Sequence, residues 1–245
     1  VSATRFFVSG VFAPGDIVPL ANDDARKLIV VLRRTTGAPL EVIDSAGRAF
    51  AASLVVDGPL ARAELDRAIA EPPRTTLRVT LAQGIPKGQK MDFVVEKATE
   101  LGVARIVPFT SERTVGGDAA RDGKLDRWRR LAKSAAQQCG RGDVPAVDAP
   151  VGFEELTQAF ADYDVALVPW ELDAGPPLRE VLPPLIAGAR EALVVIGPEG
   201  GLAHAEVDAA RARGARVISL GSRIFRTETA GLVACSALLY ASGDL

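Results

Sequence analysis

The chain has 245 residues, 48% of them hydrophobic, and its 29 basic and 31 acidic residues leave a net charge of −2. That apolar mass supports one large or two modest folded domains and excludes wholesale disorder; no uncharged apolar run reaches the ~18 residues of a transmembrane helix. One histidine, His204, and two cysteines, Cys139 and Cys235, argue against a histidine-rich metal site, a Ser-His-Asp triad and a disulfide framework. With a start that lacks a signal-like apolar run, they lead to the expectation of a cytoplasmic protein without metal or membrane partner.

From Arg5 to Ile69 short β-like runs alternate with turn signals. Arg5–Val8, Leu40–Asp44, Ala51–Val56 and Ala61–Ile69 read as strands, separated by Pro14-Gly15-Asp16, Thr36-Gly37, Ser45-Ala46-Gly47 and Asp57-Gly58-Pro59. One helix is expected over Asp23–Arg34. This spacing suggests a small β-barrel. Pro72-Pro73 breaks the pattern, which places a domain boundary between residues 72 and 73.

Beyond Pro73 strands and helices alternate. Leu77–Ala82, Arg105–Phe109, Val165–Val168, Ala192–Ile196 and Arg216–Leu220 read as strands, the last three as apolar runs of the kind buried in parallel sheets. Met91–Leu101, Leu125–Gln138, Phe153–Phe160, Ala205–Arg213 and Ala230–Tyr240 read as helices. The alternation predicts an α/β domain over residues 73–245 with a parallel sheet. Ligand sites in such sheets lie beyond the carboxyl ends of the strands, which directs attention to the loops after Val168, Ile196 and Leu220.

The loop after Ile196 is Gly197-Pro198-Glu199-Gly200-Gly201. Its glycines let backbone approach a ligand closely, and Glu199 suits a neutral or cationic ligand better than a phosphate. Neither the dinucleotide nor the P-loop fingerprint occurs in the chain. After Leu220 come Gly221, Ser222, Arg223, Ile224, Phe225, Arg226, Thr227, Glu228, Thr229 and Ala230. Thr229 is positioned to cap the last helix, which leaves Arg223, Arg226 and Glu228 crowded at a strand terminus.

Charge is uneven along the chain. Arg121–Arg141 holds seven basic residues against Asp122 and Asp126, whereas Gly142–Ala212 holds thirteen acidic residues and three arginines. At about 100° per residue, Leu125, Trp128, Leu131, Ala132, Ala135 and Ala136 share one arc, and Arg127, Arg130, Ser134, Gln137 and Gln138 the opposite one. The basic arc is either a solvated helix face or a contact for a polyanion. Gly140 reads as the helix stop and Cys139 as a packed thiol; His204 and Asp208 read as a surface pair.

Several strings resemble the bacterial ribosomal RNA small-subunit methyltransferase E family. They are Lys87-Gly88-Gln89-Lys90-Met91-Asp92, Glu96–Val103, Ser111-Glu112-Arg113, Gln138-Cys139-Gly140-Arg141, the Gly197–Gly201 loop and Arg226-Thr227-Glu228-Thr229-Ala230. In order and spacing they cover the chain from about Arg5 to its end. The resemblance implies a C-terminal SPOUT α/β domain whose trefoil knot holds S-adenosylmethionine, an N-terminal PUA-like β-barrel (residues 1–72) that helps bind RNA, and a homodimer. It implies methylation of N3 of one uridine in 16S ribosomal RNA of the small ribosomal subunit. The cofactor residues would be Leu167, Ile196, Gly197, Pro198, Glu199, Gly200, Gly201, Leu220, Gly221, Ile224, Phe225, Arg226, Thr227, Thr229 and Ala230. Arg5, Arg33, Arg113, Arg127, Arg130 and Arg141 would face RNA. Four positions depart from the family pattern: Lys27 stands where a histidine is usual, Gln137 for a glutamate, Ser222 for a proline and Phe225 for a leucine.

Methyl transfer from a sulfonium needs no metal, and positioning supplies much of its rate. Uracil N3 carries a proton, so a base or a cation that stabilises the uracil anion is required. Arg226 is the candidate for anion stabilisation, and Glu228 the base or the orienter of that arginine. Two other classes fit parts of the sequence: a non-catalytic RNA-binding protein, and an α/β enzyme acting on a nucleotide-like small molecule. Cofactor binding discriminates against the first and a requirement for RNA against the second.

Overall fold

The computed structural model describes residues 4–71, 75–114, 123–171 and 176–245. The chain forms two compact units, Val1–Arg74 with Ala136–Asp143, and Thr75–Ala135 with Val144–Leu245. The expected boundary between residues 72 and 73 lies outside the described residues. Nothing local in the sequence announces that Ala136–Asp143 joins the first unit.

In that unit β1 (Thr4–Phe7), β2 (Ile17–Pro19), β3 (Pro39–Ile43), β4 (Ala49–Asp57) and β5 (Leu60–Ile69) make one sheet in the order β1-β3-β4-β5-β2. β1 runs parallel to β3 and the other neighbours are antiparallel. Alternation sets the faces: along β5, Ala61, Ala63 and Leu65 are buried while Leu60, Arg62 and Glu64 face out. The buried set packs with Phe6, Val18, Val42, Phe50 and Leu54.

The helix expected over Asp23–Arg34 is shorter. α1 (Asn22–Arg26) passes into a π turn at Lys27–Val31, where the Leu32 N–H reaches back five residues to the Lys27 carbonyl at 2.9 Å. Only Leu28 of that turn is buried, and Val30 and Val31 are exposed. A single buried side chain gives little packing to sustain a regular helix, and the run ends at Arg33, whose φ is 51°.

Gln137 departs from the angular reading. It is buried, donating from Nε2 to Asp24 Oδ1 at 2.9 Å and accepting at Oε1 from Lys27 Nζ at 3.3 Å. The departures at positions 27 and 137 therefore meet in one hydrogen bond. Cys139, expected to be packed, is exposed, whereas Cys235 is buried and burial pushes its thiol up to about 12.

The second unit runs β6 (Arg78–Gly84), α2 (Lys90–Leu101), β7 (Arg105–Thr110), α3 (Lys124–Cys139), β8 (Ala146–Val147), β9 (Val151–Gly152), α4 (Phe153–Gln158), β10 (Val165–Pro169), α5 (Leu178–Ile186), β11 (Glu191–Ile196), α6 (His204–Ala212), β12 (Arg216–Ile218) and α7 (Thr227–Ser242). The sheet order is β12-β10-β11-β6-β7-β8, with β9 also beside β7, and every pair is parallel. This is an α/β fold with helices on both faces, and that is why its strands read as apolar runs. Val165 and Leu167 enter a core shared with α2, α5 and α7. Ala166 and Val168 enter another with Phe153 and Leu156 of α4 and Val207 and Ala210 of α6.

α5 was not expected, because Pro183-Pro184 reads as a break; Leu178 and Leu182, buried one turn apart, anchor it. Near the end of α7, the Asp244 carboxylate accepts the N–H groups of Thr76 at 2.8 Å and Leu77 at 3.1 Å. Among the described residues no helix is long and apolar enough to cross a membrane.

One buried charge organises a turn of the first unit. The Asp44 side chain is fully buried and accepts the N–H groups of Phe12 at 3.2 Å, Ala46 at 2.9 Å and Arg48 at 3.0 Å, and the Arg48 guanidinium at 2.7 Å. Burial works to raise its pKa, but Arg48 and the three backbone donors outweigh that and hold it below the usual carboxylate value. A lowered folded pKa contributes stability above the unfolded value and loses it as pH falls through the folded one. Asp44→Asn should therefore lower stability by about 1–3 kcal/mol at pH 7. The gap to wild type in urea unfolding should narrow as pH drops below about 4.

Candidate active site

β10, β11 and β12 end at Pro169, Ile196 and Ile218, and the segments that follow converge on a cavity of about 830 Å³. Pro169, Trp170 and Glu171 line it from the first strand, Ile196–Glu199, Gly201 and Leu202 from the second, and Ser219–Glu228 and Ala230 from the third; Lys90 enters from α2. Such crevices at the carboxyl ends of parallel strands hold ligands, and the volume is that of a small-molecule site.

The Gly197–Gly201 loop is shaped by close approach of backbone. A Cβ on Gly84, at the end of β6, would lie 2.5 Å from the Pro198 nitrogen, and one on Gly197 would lie 2.9 Å from the Gly201 carbonyl carbon. Gly201 takes φ of 69°, which suits only a residue without a side chain at low cost. Two side chains then fasten the loop. The Thr227 hydroxyl donates to the Gly197 carbonyl at 2.6 Å while accepting from Gln83 Nε2 at 2.8 Å. Arg113 Nη1 donates to the Gly200 carbonyl at 3.1 Å, and Glu206 accepts the Glu112 N–H at 2.9 Å and the Ala203 N–H at 2.9 Å.

Of the residues expected to hold a cofactor, Ile196, Gly197, Pro198, Glu199, Gly201, Leu220, Gly221, Ile224, Phe225, Arg226, Thr227 and Ala230 line this cavity. Three do not. Leu167 is fully buried in the core of β10; Gly200 is turned against Arg113. Thr229 is exposed in the first turn of α7, which starts at Thr227 with Arg226 at the cap position. The expected cap at Thr229 is thus three residues late, because Thr227 already closes the turn through its bonds to Gly197 and Gln83. Ser222 and Phe225, two of the departures, also face the cavity.

Lys90, Trp170 and Glu171 were not singled out by the sequence. Only the position of Trp170 and Glu171 just after a buried apolar run pointed there. Trp170 donates to the Leu202 carbonyl at 3.3 Å and packs edge-on against His204 at 4.9 Å; Asp208 pairs with Arg211 at 3.3 Å instead of His204.

Charge in the cavity is concentrated at one corner. Lys90 Nζ lies 2.9 Å from Glu199 Oε1 and 3.5 Å from Glu228 Oε2. Burial works to raise the Glu199 pKa, yet the Lys90 ammonium and the Lys87 N–H hold it below the usual value. Glu228 Oε2 is buried, with the Lys90 ammonium beside it. Arg226 also lines the cavity.

The arginines expected to face RNA are dispersed. Arg5 bonds Glu41 at 2.6 Å and the carbonyls of Gly140 and Arg141. Arg141 pairs with Asp143 at 3.1 Å with its side chain only 12% exposed, and Arg113 holds the Gly200 carbonyl. Arg127 and Arg130 are exposed on α3, Arg127 paired with Asp92 at 2.5 Å. Arg33 is exposed in the first unit.

The model of the RNA methyltransferase domain family matches residues 73–239. The chain is 31% identical over 242 residues to ribosomal RNA small subunit methyltransferase E of Mycobacterium bovis, covering 96% of this chain and 91% of that protein. It is 36% identical over 169 residues to the protein of the same name in Bacillus subtilis, covering 67% of this chain and 66% of that one. Among solved structures, that of ribosomal RNA small subunit methyltransferase E from Neisseria gonorrhoeae, bound to S-adenosylmethionine, is similar over 98% of both chains with a TM-score of 0.86 and 31% identity. A methyltransferase from Legionella pneumophila in complex with the same cofactor is similar over 98% of both chains, with a TM-score of 0.90 and 28% identity.

The approach of Gly84 to Pro198 has a measurable consequence. Gly84→Ala should cost about 1–3 kcal/mol, as overpacking against fixed backbone does. Gly152→Ala, where a Cβ meets nothing within 4 Å, should cost less than about 1 kcal/mol. Denaturant midpoints of the two variants provide the comparison.

Proposed function

The chain belongs to the ribosomal RNA small subunit methyltransferase E family, and on that premise we propose that it transfers a methyl group from S-adenosylmethionine to N3 of one uridine in 16S ribosomal RNA. The observation that carries this reading is the cavity at the ends of β10, β11 and β12. The residues present fit the cofactor. Gly197 and Gly201 line the cavity without side chains of their own, and Glu171, Glu199 and Glu228 beside them suit a cationic ligand. When bound, S-adenosylmethionine supplies a methyl group on a positively charged sulfur. Ile196–Glu199, Gly201 and Leu220–Thr227, which line the cavity, would hold it. Arg226 stabilises negative charge on the uracil ring, and the Glu228 carboxylate, which lines the cavity, takes the N3 proton. Closure of the base into the cavity excludes water from both groups, and the target uridine must leave its stack to enter.

The same premise extends to architecture. We read the second unit as a SPOUT domain with a trefoil knot. In support, β12 lies on the far side of β10 from β11, so the chain crosses back before α7 packs on β6 and β11. We read the first unit as a PUA-like barrel that binds RNA, the assembly as a homodimer and the site of action as the cytoplasm. Exposed Ile224 and Tyr240 support the dimer by offering apolar surface for a second copy.

Calorimetry with S-adenosylmethionine, followed by tritiated-methyl transfer to small ribosomal subunits lacking the modification, tests the function. Methyl transfer without RNA, or RNA binding without cofactor binding, contradicts it. Arg226→Ala should lower the single-turnover rate by about 10²–10³ and leave the S-adenosylmethionine Kd nearly unchanged; a wild-type rate removes Arg226 from catalysis. For the RNA, Arg127 and Arg130 are the two expected arginines that α3 exposes in the second unit. Their joint change to alanine should lower the slope of log K against log salt by about 1.4 to 1.8. An unaltered slope leaves that face of α3 solvated only.

A further inference from the structure

Lys90 stands in the first turn of α2, outside the loops that follow the three strands, yet its ammonium is the point where three elements meet. It hydrogen-bonds Glu199 of the glycine loop at 2.9 Å and pairs with Glu228 of α7 at 3.5 Å. Glu199 is itself fixed, accepting the Lys87 N–H at 3.1 and 3.3 Å. The two lysines and the loop carboxylate therefore form a clamp whose free end is the contact with Glu228. That contact is the longer of the two, and the Glu228 Oε2 it reaches is buried. A cation at this distance favours the ionised carboxylate, the form that can accept a proton. Among the described residues, the other charged groups lining the cavity are Glu171 after β10, and Arg223 and Arg226 after β12.

We propose that Lys90 is the positioning residue for the proton acceptor: anchored by Glu199, it holds in place the Glu228 carboxylate, which lines the cavity where the N3–H of the uracil would enter. This rests on the methyltransferase reading above. In the step so assisted, the N3–H bond breaks and its proton passes to the Glu228 carboxylate. The electron pair left on N3 forms the bond to the methyl carbon, and the carbon–sulfur bond breaks with its pair going to sulfur. The Glu228 proton is then released to water. The Lys90 ammonium neither gains nor loses a proton. Its pKa is raised above the ordinary lysine value, first by the hydrogen bond to Glu199 and against the opposing effect of burial.

The test uses the full chain and small ribosomal subunits lacking the modification. Lys90→Met should slow single-turnover methylation about 10- to 100-fold, while calorimetric affinity for S-adenosylhomocysteine stays within about threefold of wild type. Lys90→Arg should recover most of the rate. In a Glu228→Gln background, Lys90→Met should cost less than about threefold more, because the group it acts through is gone. Wild-type rates in Lys90→Met, or a full additive loss in the double variant, overturn the proposal.

Glu199→Gln tests the clamp without altering α2. It should slow methylation in the same direction, and in ¹³Cε-lysine spectra the Lys90 signal should titrate at lower pH than in wild type; an unchanged titration overturns the anchoring by Glu199. A wild-type protein that binds S-adenosylmethionine yet methylates no small-subunit RNA overturns the functional reading instead, and the lysine titration, which needs no RNA, still reports on the ion pair.

Discussion

The second unit depends on a place where two stretches of backbone come too close for any side chain. β6 and β11 are parallel neighbours, with Ile196 opposite Gln83. One residue further on, Gly84 meets Pro198 at a distance that leaves no space for a carbon. Because the chain can fold over the end of β6 there, Gly197 lies within reach of the Thr227 hydroxyl and Glu199 within reach of Lys87 and Lys90. Bulk at residue 84 would push the loop away from all of these partners at once. The polar contacts then decide which way the loop leans, but the missing Cβ lets it arrive.

Beneath the loop, a buried polar chain replaces apolar packing. Gln83 is fully buried in a strand whose buried apolar residues are Val79, Leu81 and Ala82, and its amide reaches Thr227 and the Gly84 carbonyl. An apolar residue at 83 would leave the Thr227 hydroxyl with one partner fewer in a low-dielectric setting, where that loss is costly. The arrangement links the first turn of α7 to the glycine loop through atoms of fixed geometry, so Arg226 and Glu228 are held by the interior and not by their exposed loop.

Much of the sheet was legible because its strands are short apolar runs that a parallel sheet buries on both faces, and the cavity lies at the strand ends to which that reading pointed. The missed elements have local causes. β2 is three residues ending in Pro19, β8 and β9 are two residues each, and α5 carries two prolines. The site was legible where it follows a strand directly and obscure where it depends on distant partners. Lys90 belongs to a string whose resemblance was visible but whose job is set by Glu199, over a hundred positions away. Gln137 fits the exposed arc by angle, and Asp24 and Lys27 bury it. Leu167 is part of a correct strand, but alternation turns its side chain into the core. The resemblance gave Arg5, Arg113 and Arg141 as RNA contacts, and the sequence alone did not show that each also bonds carbonyls or carboxylates of the chain itself.

The position of α7 constrains the order in which a nascent chain can mature. Its residues Ala234, Cys235, Leu238 and Leu239 close the core against strands translated much earlier, and Asp244 fastens onto the backbone at Thr76 and Leu77. A chain that has emerged only as far as β12 has α2 and α5 on that face but lacks the side chains of α7 that complete its core. The unit closes after almost all of it has been translated, and α7 completes the core and brings Glu228 to the cavity in the same event.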